Sequence, residues 1–266
     1  MARPPGKCVF CGGGGLTKEH VIAEWVQSVL PKESATSWQH ITRTGYGGWN
    51  NPAPLPSSFR PQRQGDVLTR KLYCVCKNCN NGWMSRLQER AKPVITHLLL
   101  GTWDELTPDQ QALVSAWIAM TTMVYEFVDP PTVAIPQAER SAFMQEQQPP
   151  EHWWIAIGVL RNPSRLLAHT GAYIYLGETP PPAIGPMNTQ TTVVAVGRLI
   201  FQAFSSAATS VNLEITGPTL RRLGLTSIWP RNADAVRPVR PLDNQEAERI
   251  FIALRSALNS AFNRSG

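Results

Sequence analysis

Two pairs of cysteines, each with two intervening residues, constrain the fold of this chain more than any other feature of its sequence. Cys8 and Cys11 form the first pair, and Cys76 and Cys79 form the second. Two intervening residues let both thiolates of one tight turn reach the same tetrahedral ion. The sequence therefore predicts a single structural zinc site of four thiolates, which joins two turns that lie far apart in the chain.

Two other interpretations of the cysteines are weaker. Cysteines are often buried simply as small residues, but two such pairs rarely coincide in a chain with five cysteines. A redox pair would need a thioredoxin-like βαβ context, which neither pair has. The fifth cysteine, Cys74, lies on a predicted strand over Lys71–Val75 and is interpreted as a packed thiol. Because a zinc ion with four thiolate ligands is saturated, any hydrolytic chemistry must lie elsewhere.

Between the two pairs, a carboxylate stands beside an imidazole at Glu19 and His20, in a short run that is interpreted as a strand. Phosphodiester hydrolysis needs a hard oxygen ligand for a divalent ion and a neutral imidazole to accept a proton from water. Neighbouring residues of a strand point to opposite faces, so both side chains serve one site only where the strand twists or bulges. Asn80 precedes a predicted helix over Asn81–Ala91 and can offer an amide oxygen to the same ion.

The order Cys-x-x-Cys, Glu-His, Cys-x-x-Cys-Asn resembles the zinc-bearing branch of the HNH (ββα-metal, treble-clef) endonucleases, over roughly the first third of the chain. The run from Cys79 to Met84 is also similar to phage and bacterial HNH-like proteins. The resemblance implies that Glu19 and Asn80 bind one catalytic ion, Mg²⁺ or a similar divalent metal, and that His20 is the general base. It also implies a structural zinc site made of Cys8, Cys11, Cys76 and Cys79. The family usually has Asp or His where this chain has Glu19, and the loop from Val21 to Tyr73 is long.

The positive charge of the chain is concentrated near its N-terminus. The net charge is +6, but residues 1–103 carry thirteen Lys and Arg against five Asp and Glu, whereas residues 104–266 carry twelve against fourteen. A concentrated positive field favours nucleic acid as the partner, and the resemblance favours DNA. A solvated basic face that keeps the protein soluble explains the charge equally well. The sequence shows neither a secretory signal nor a long apolar span, so we expect a soluble cytoplasmic protein without membrane contact.

Other aromatic, basic and histidine side chains carry weaker indications. The aromatic and basic residues near the second cysteine pair interleave in a way that suits backbone and base contacts, although packing explains the tryptophans slightly better. These residues are Trp49, Trp83, Arg60, Arg63, Arg70 and Lys71. The remaining histidines have no spacing that implies ligation and are interpreted as structural or surface residues. They are His40, His97, His152 and His169.

The rest of the chain predicts a second, α+β part. The run Thr107 to Gln110 has the form of a helix start with a capping box, followed by a core helix to about Phe127. A last amphipathic helix is predicted over Asn244–Phe262. Segments rich in β-branched and aromatic residues predict antiparallel strands at Trp153–Leu160, Leu166–Leu176, Thr192–Phe204 and Val211–Thr216. The predicted fold class is therefore α+β, with a treble-clef ββα-metal zinc module at residues 1–103 and an α+β domain with an antiparallel sheet and helices at residues 104–266.

These observations predict a metal-dependent endonuclease that hydrolyses phosphodiester bonds of DNA with one divalent ion and His20 as the base. The alternative is a non-catalytic zinc-dependent module that binds nucleic acid, in which Glu19 and His20 are incidental. A third hypothesis makes the protein an adaptor whose second domain docks a protein partner. For that domain we expect target recognition, partner binding or the formation of a homodimer.

Overall fold

The computed structural model describes residues 6–30, 67–174, 186–207 and 223–250, except residue 248, together with three two-residue strands between 37 and 64. Its N-terminal part is built on a pair of antiparallel strands that are distant in sequence, the first and the last of this part. In chain order its elements are β1 (Leu16–His20), α1 (Val26–Val29), β2 (Ser37–Trp38), β3 (Tyr46–Gly47), β4 (Arg63–Gln64) and β5 (Lys71–Cys76).

The pairing of β1 with β5 decides which parts of the N-terminal segment meet. Leu16 lies opposite Cys76 and His20 lies opposite Lys71, with a register irregularity between Thr17 and Lys18. The start of β1 is thereby held beside the second cysteine pair, while Glu19 and His20 lie at the other end of the ladder. Both predicted strands are confirmed. The short strands β2 and β4 pair with each other.

A helical segment with a kink at Gly82 follows β5 directly. It consists of α2 (Lys77–Cys79), a π-helical turn (Asn80–Met84) and α3 (Ser85–Leu100). The helix predicted over residues 81–91 is therefore too short at its C-terminal end. Pro93 does not stop α3, because the next turns bury Ile95 and Leu98 in the core. The helix ends at Gly101, which adopts the left-handed conformation that glycine accepts without steric cost.

The central helix is α4 (Pro108–Tyr125), and its predicted start is confirmed. The Thr107 hydroxyl accepts a hydrogen bond from the Gln110 backbone N–H at 3.3 Å, and the Gln110 side chain accepts one from the Thr107 N–H at 2.9 Å. Most of α4 is buried on all sides, so it is a core helix as predicted. A 3₁₀ turn, Glu126–Val128, continues it.

The helix α5 (Gln137–Glu146) was not predicted from the sequence, and it begins directly after a proline-rich segment at residues 130–136. Pro136 stands at its N-cap position, where its missing N–H costs nothing. The helix buries Phe143 and Arg140, and the side chains of Gln137 and Ser141 donate to the Phe10 carbonyl oxygen at 3.1 and 3.0 Å. It therefore packs against the first cysteine pair.

The sheet of the second part is built on two long antiparallel strands. Two of the predicted strands form one strand, because the same partner strand pairs with both across a register shift between Val159 and Ser164. The strands are β6 (Trp154–Ile174), β7 (Thr189–Ser206), β8 (Thr226–Trp229) and β9 (Pro241–Leu242). β8 pairs antiparallel with β6, while β9 and β3 lie parallel to it. The strand predicted at 211–216 lies outside the described residues.

The last predicted helix begins where expected. Residues 244–247 and 249–250 are helical, and the remainder of the prediction lies outside the described residues. Asp243 and Glu246 form a capping box in which each carboxylate accepts the backbone N–H of the other, at 2.8 and 2.9 Å.

Helices and antiparallel strands together make this an α+β fold. One buried cluster contains Phe10, Trp83, Trp117 and Phe201, and so takes residues from both sides of position 103. The domain boundary predicted there stays a prediction. Among the described residues, none of the helices combines the length and apolar character that crossing a membrane requires.

Candidate functional site

The four cysteines of the two pairs meet in one cluster. Their sulfur atoms all lie within 4.8 Å of one another, and the Cys11 and Cys76 sulfurs are 3.6 Å apart. A tetrahedral zinc ion with Zn–S bonds of about 2.3 Å separates its sulfur ligands by about 3.8 Å. The spacing of the thiols therefore fits a metal ion such as zinc. Cys8, Cys76 and Cys79 are buried, and Cys11 is exposed.

Backbone geometry shapes both cysteine turns. The Cys8 N–H donates to the Gly13 carbonyl oxygen at 2.7 Å, and Gly12 closes the turn at a φ of 71°, which favours glycine. Backbone N–H groups also point at sulfur, from Gly13 to Cys11 at 3.4 Å and from Cys79 to Cys76 at 3.5 Å. Such N–H groups stabilise thiolates, so each turn is prepared for a cation.

The electrostatics of the cluster also suit a metal. Burial acts to raise the pKa of Cys8, but backbone hydrogen bonds at Cys11, Cys76 and Phe10 outweigh it and bring the pKa down to about 7. Burial raises the pKa of Cys11 and of Cys79. Several thiolates this close are stable only beside a cation that offsets their repulsion.

Cys74 plays a different part. It is fully buried, lies outside the cluster of four, and burial raises the pKa of its thiol to about 12. A thiol of this kind stays protonated and packs as a small apolar group. The structure thus separates one packed cysteine from four that can hold an ion, as the sequence predicts.

Glu19 lies on the buried side of β1, with only 6 % of its surface exposed. Burial raises the pKa of this carboxyl to about 7, opposed by hydrogen bonding from the side chains of Gln88 and Asn80. Asn80 also donates its side-chain N–H to the Thr17 hydroxyl at 3.2 Å. That bond orients the amide and leaves its carbonyl oxygen as the atom suited to a cation. The carboxylate of β1 and the amide after the last cysteine are therefore neighbours.

His20 lies beside Glu19 on the wall of the same small cavity. Its side chain is 11 % exposed, and its Nε2 atom lies 3.9 Å from Glu24 Oε1. Burial and the positive charge of Lys71 lower the pKa of the imidazole. The ring is accordingly neutral near pH 7, the state that a proton acceptor needs.

The cavity has a volume of about 10 Å³, roughly the space for one water molecule. Its polar wall consists of Glu19, His20 and Gln88, and α4 closes it with Met120, Thr121 and Val124. Glu19 and His20 both contribute to the lining of this space, although they alternate between the two sides of β1. Of the three predicted site residues, Glu19 is the most deeply buried, while His20 and Asn80 are partly exposed.

Gln88 is the site residue that the sequence analysis missed. It lies on α3, on the far side of the kink at Gly82 from Asn80. The interruption of the helix at Gly82 means that helical spacing from Asn80 could not identify Gln88 from the sequence.

The weaker candidates have structural explanations. Trp83 packs edge-on against Phe10 and Phe143, with ring centroids 4.9 and 5.8 Å away, which favours the packing interpretation. His169 is buried and contacts the Thr192 hydroxyl at 2.7 Å. Lys71 is exposed. His97 contacts the Thr102 hydroxyl and His152 pairs with Glu139. Trp49, Arg60, His40 and the side chain of Arg63 lie outside the described residues.

Comparison with protein-family models, with curated proteins and with solved structures finds no match for this chain.

Proposed function

We propose that the chain is a metal-dependent nuclease of the HNH type, in which the four cysteines hold a structural zinc ion within a treble-clef module. Glu19 and Asn80 are the ligands of one divalent ion such as Mg²⁺, and His20 is the general base. One observation carries this proposal: the Glu19 carboxyl is hydrogen-bonded to the Asn80 amide and shares the wall of a small cavity with His20, at the end of β1 opposite to the cysteine pairs.

The donor atoms suit this chemistry. Carboxylate and amide oxygens are the ligands that Mg²⁺ prefers, and such an ion neutralises the scissile phosphate and the leaving oxygen. His20 takes a proton from the attacking water, and its lowered pKa keeps the accepting nitrogen free at neutral pH. Asn80 is held by Thr17 and Glu19 by Gln88, so both ligands are oriented before any ion arrives.

Access to the site follows from the exposure of its members. Glu19 lies beneath the surface, whereas His20 and Asn80 are partly exposed. A phosphodiester therefore approaches from the side of His20 and Asn80. The concentration of lysine and arginine in residues 1–103 attracts the polyanion toward this part of the chain.

The test is cleavage of supercoiled plasmid DNA by the His20→Ala variant in the presence of Mg²⁺. Loss of a general base lowers the rate by about 10²- to 10⁴-fold. His97→Ala is the matched control, because His97 is an exposed histidine on α3. Zinc content and circular dichroism establish that both variants fold. Cleavage by His20→Ala at the parent rate would refute the assignment of the base.

The burial of Glu19 favours a second candidate, a zinc-dependent module that binds nucleic acid without cutting it. An almost enclosed carboxylate beside a cavity of one-water size is also what a purely structural hydrogen-bond network produces. Binding of DNA without cleavage across Mg²⁺, Mn²⁺ and Ni²⁺ would establish this candidate and exclude the nuclease.

A further inference from the structure

The outward face of the β1–β5 pair presents an exposed aromatic ring between two lysines. Lys18 lies opposite Tyr73 in the ladder, and His20 lies opposite Lys71. Opposed residues in a ladder share one face, so these four positions form one side of the strand pair. Glu19 and Leu72 oppose each other on the other side, where Glu19 is buried.

Tyr73 is unusual in its exposure. It is one of three large apolar side chains that the described part of the chain leaves exposed, with 46 % of its surface accessible. The Lys18 ammonium group lies 5.6 Å from the centre of its ring, and both Lys18 and Lys71 are exposed. The ring is thus about half exposed, with one ammonium group over it and a second lysine on the same side of the strand pair.

This combination has a specific chemistry. An aromatic ring stacks on a nucleobase, and neighbouring lysines neutralise phosphates. Strand residues rise about 3.3 Å each, so Lys71 lies roughly 7 Å along β5 from Tyr73. A nucleotide stacked on Tyr73 then has its phosphates within reach of the lysines and follows the strands toward His20. Bases within a duplex are already stacked on each other, so the ring selects unpaired ones.

We propose that Lys18, Lys71 and Tyr73 form a contact surface for a single-stranded segment of nucleic acid, which leads toward His20. This proposal rests on the proposed function, because it specifies the class of substrate that the catalytic site acts on. Its own claim concerns binding: Tyr73 stacks on an unpaired base, and the two lysines contact the flanking phosphates.

The test measures binding separately from cleavage. The full chain carrying His20→Ala is titrated against a fluorescein-labelled single-stranded oligonucleotide and against a duplex of the same sequence, with fluorescence anisotropy as the readout. Adding Tyr73→Ala to this background should weaken single-strand binding by roughly 5- to 100-fold. Tyr73→Phe keeps the ring and should stay within about twofold of the parent, as should Leu100→Ala, which removes another exposed apolar side chain.

The lysines are tested through salt. The logarithm of the affinity falls linearly with the logarithm of the salt concentration. Lys18→Ala and Lys71→Ala should each reduce the magnitude of that slope by about 0.7, the value for one phosphate contact on a single strand. Unchanged single-strand affinity in Tyr73→Ala, or a preference for the duplex, would overturn the proposal. If the parent never cuts DNA but Tyr73→Ala still loses single-strand affinity, the nuclease fails and this surface stands. If His20 is needed for cutting but Tyr73→Ala binds normally, the surface fails and the nuclease stands.

Discussion

The ion pair between Glu126 and Arg140 is buried almost completely. Breaking it should lower the free energy of unfolding more than breaking an exposed ion pair does. Their exposed fractions are 0 % and 1 %. The Glu126 carboxylate accepts from the Arg140 guanidinium and from the backbone N–H groups of Ala134 and Ile135, the last two at 2.9 and 3.3 Å. The guanidinium also donates to the carbonyl oxygens of Met123 at 2.7 Å and Ile135 at 3.3 Å.

Glu126→Ala leaves this guanidinium buried without a counter-charge and removes the acceptor of two backbone N–H groups. Removing one partner of a buried pair costs about 3 to 5 kcal/mol. That is a large part of the roughly 5 to 15 kcal/mol that holds a typical domain folded. The variant should therefore lose much of its free energy of unfolding.

The assay is urea denaturation followed by tryptophan fluorescence, with zinc held in constant excess so that metal affinity does not confound the comparison. The control is Glu105→Ala, because Glu105 pairs with Arg237 at 3.2 Å where the two side chains are 48 % and 78 % exposed. An exposed pair contributes at most about 1 kcal/mol.

A double variant completes the cycle. Glu126→Leu and Arg140→Met are made singly and together, and because the double variant removes both charges, its loss should be well below the sum of the two single losses. A loss under about 1 kcal/mol for Glu126→Ala, or strict additivity in the double variant, would refute the reasoning that the buried charge dominates.

Three further predictions concern the metal cluster, the site and the sheet. Cys79→Ser should lose zinc and unfold the N-terminal module, whereas Cys74→Ala should keep its zinc; atomic absorption measures both. Gln88→Leu should slow Mg²⁺-dependent DNA cleavage by about 10- to 100-fold and keep its zinc, because Glu19 loses the partner that orients it; an unchanged rate would exclude that role. Burial lowers the pKa of His169 from 6.5 to about 4. As the pH falls through this range, the unfolded chain therefore binds a proton that the folded chain does not bind. The free energy of unfolding should therefore drop by about 3 kcal/mol between pH 6.5 and 4, and His169→Gln should flatten that part of the profile measured by urea denaturation.

Local chemistry was readable from the sequence. The spacing of Cys8 and Cys11 decides that both thiols of one turn face the same way, and the second pair repeats the pattern. The helix start at Thr107 depends on hydrogen bonds between residues three positions apart, so the capping box was visible without a fold. The packed state of Cys74 followed from its place on a strand. Each of these features depends on a few neighbouring residues.

What the tertiary structure decided depends on residues far apart in the chain. The strands β1 and β5 pair across a long insertion, and only that pairing brings Glu19 to Asn80 and Gln88. Two predicted strands became the single strand β6 because β7 pairs along both of them. Tyr73 is likewise exposed because it lies on the side of the ladder opposite to the buried Glu19. Short-range propensity determines turns and helix ends, whereas burial over the whole chain selects which distant side chains meet, and no local pattern of residues contains that choice.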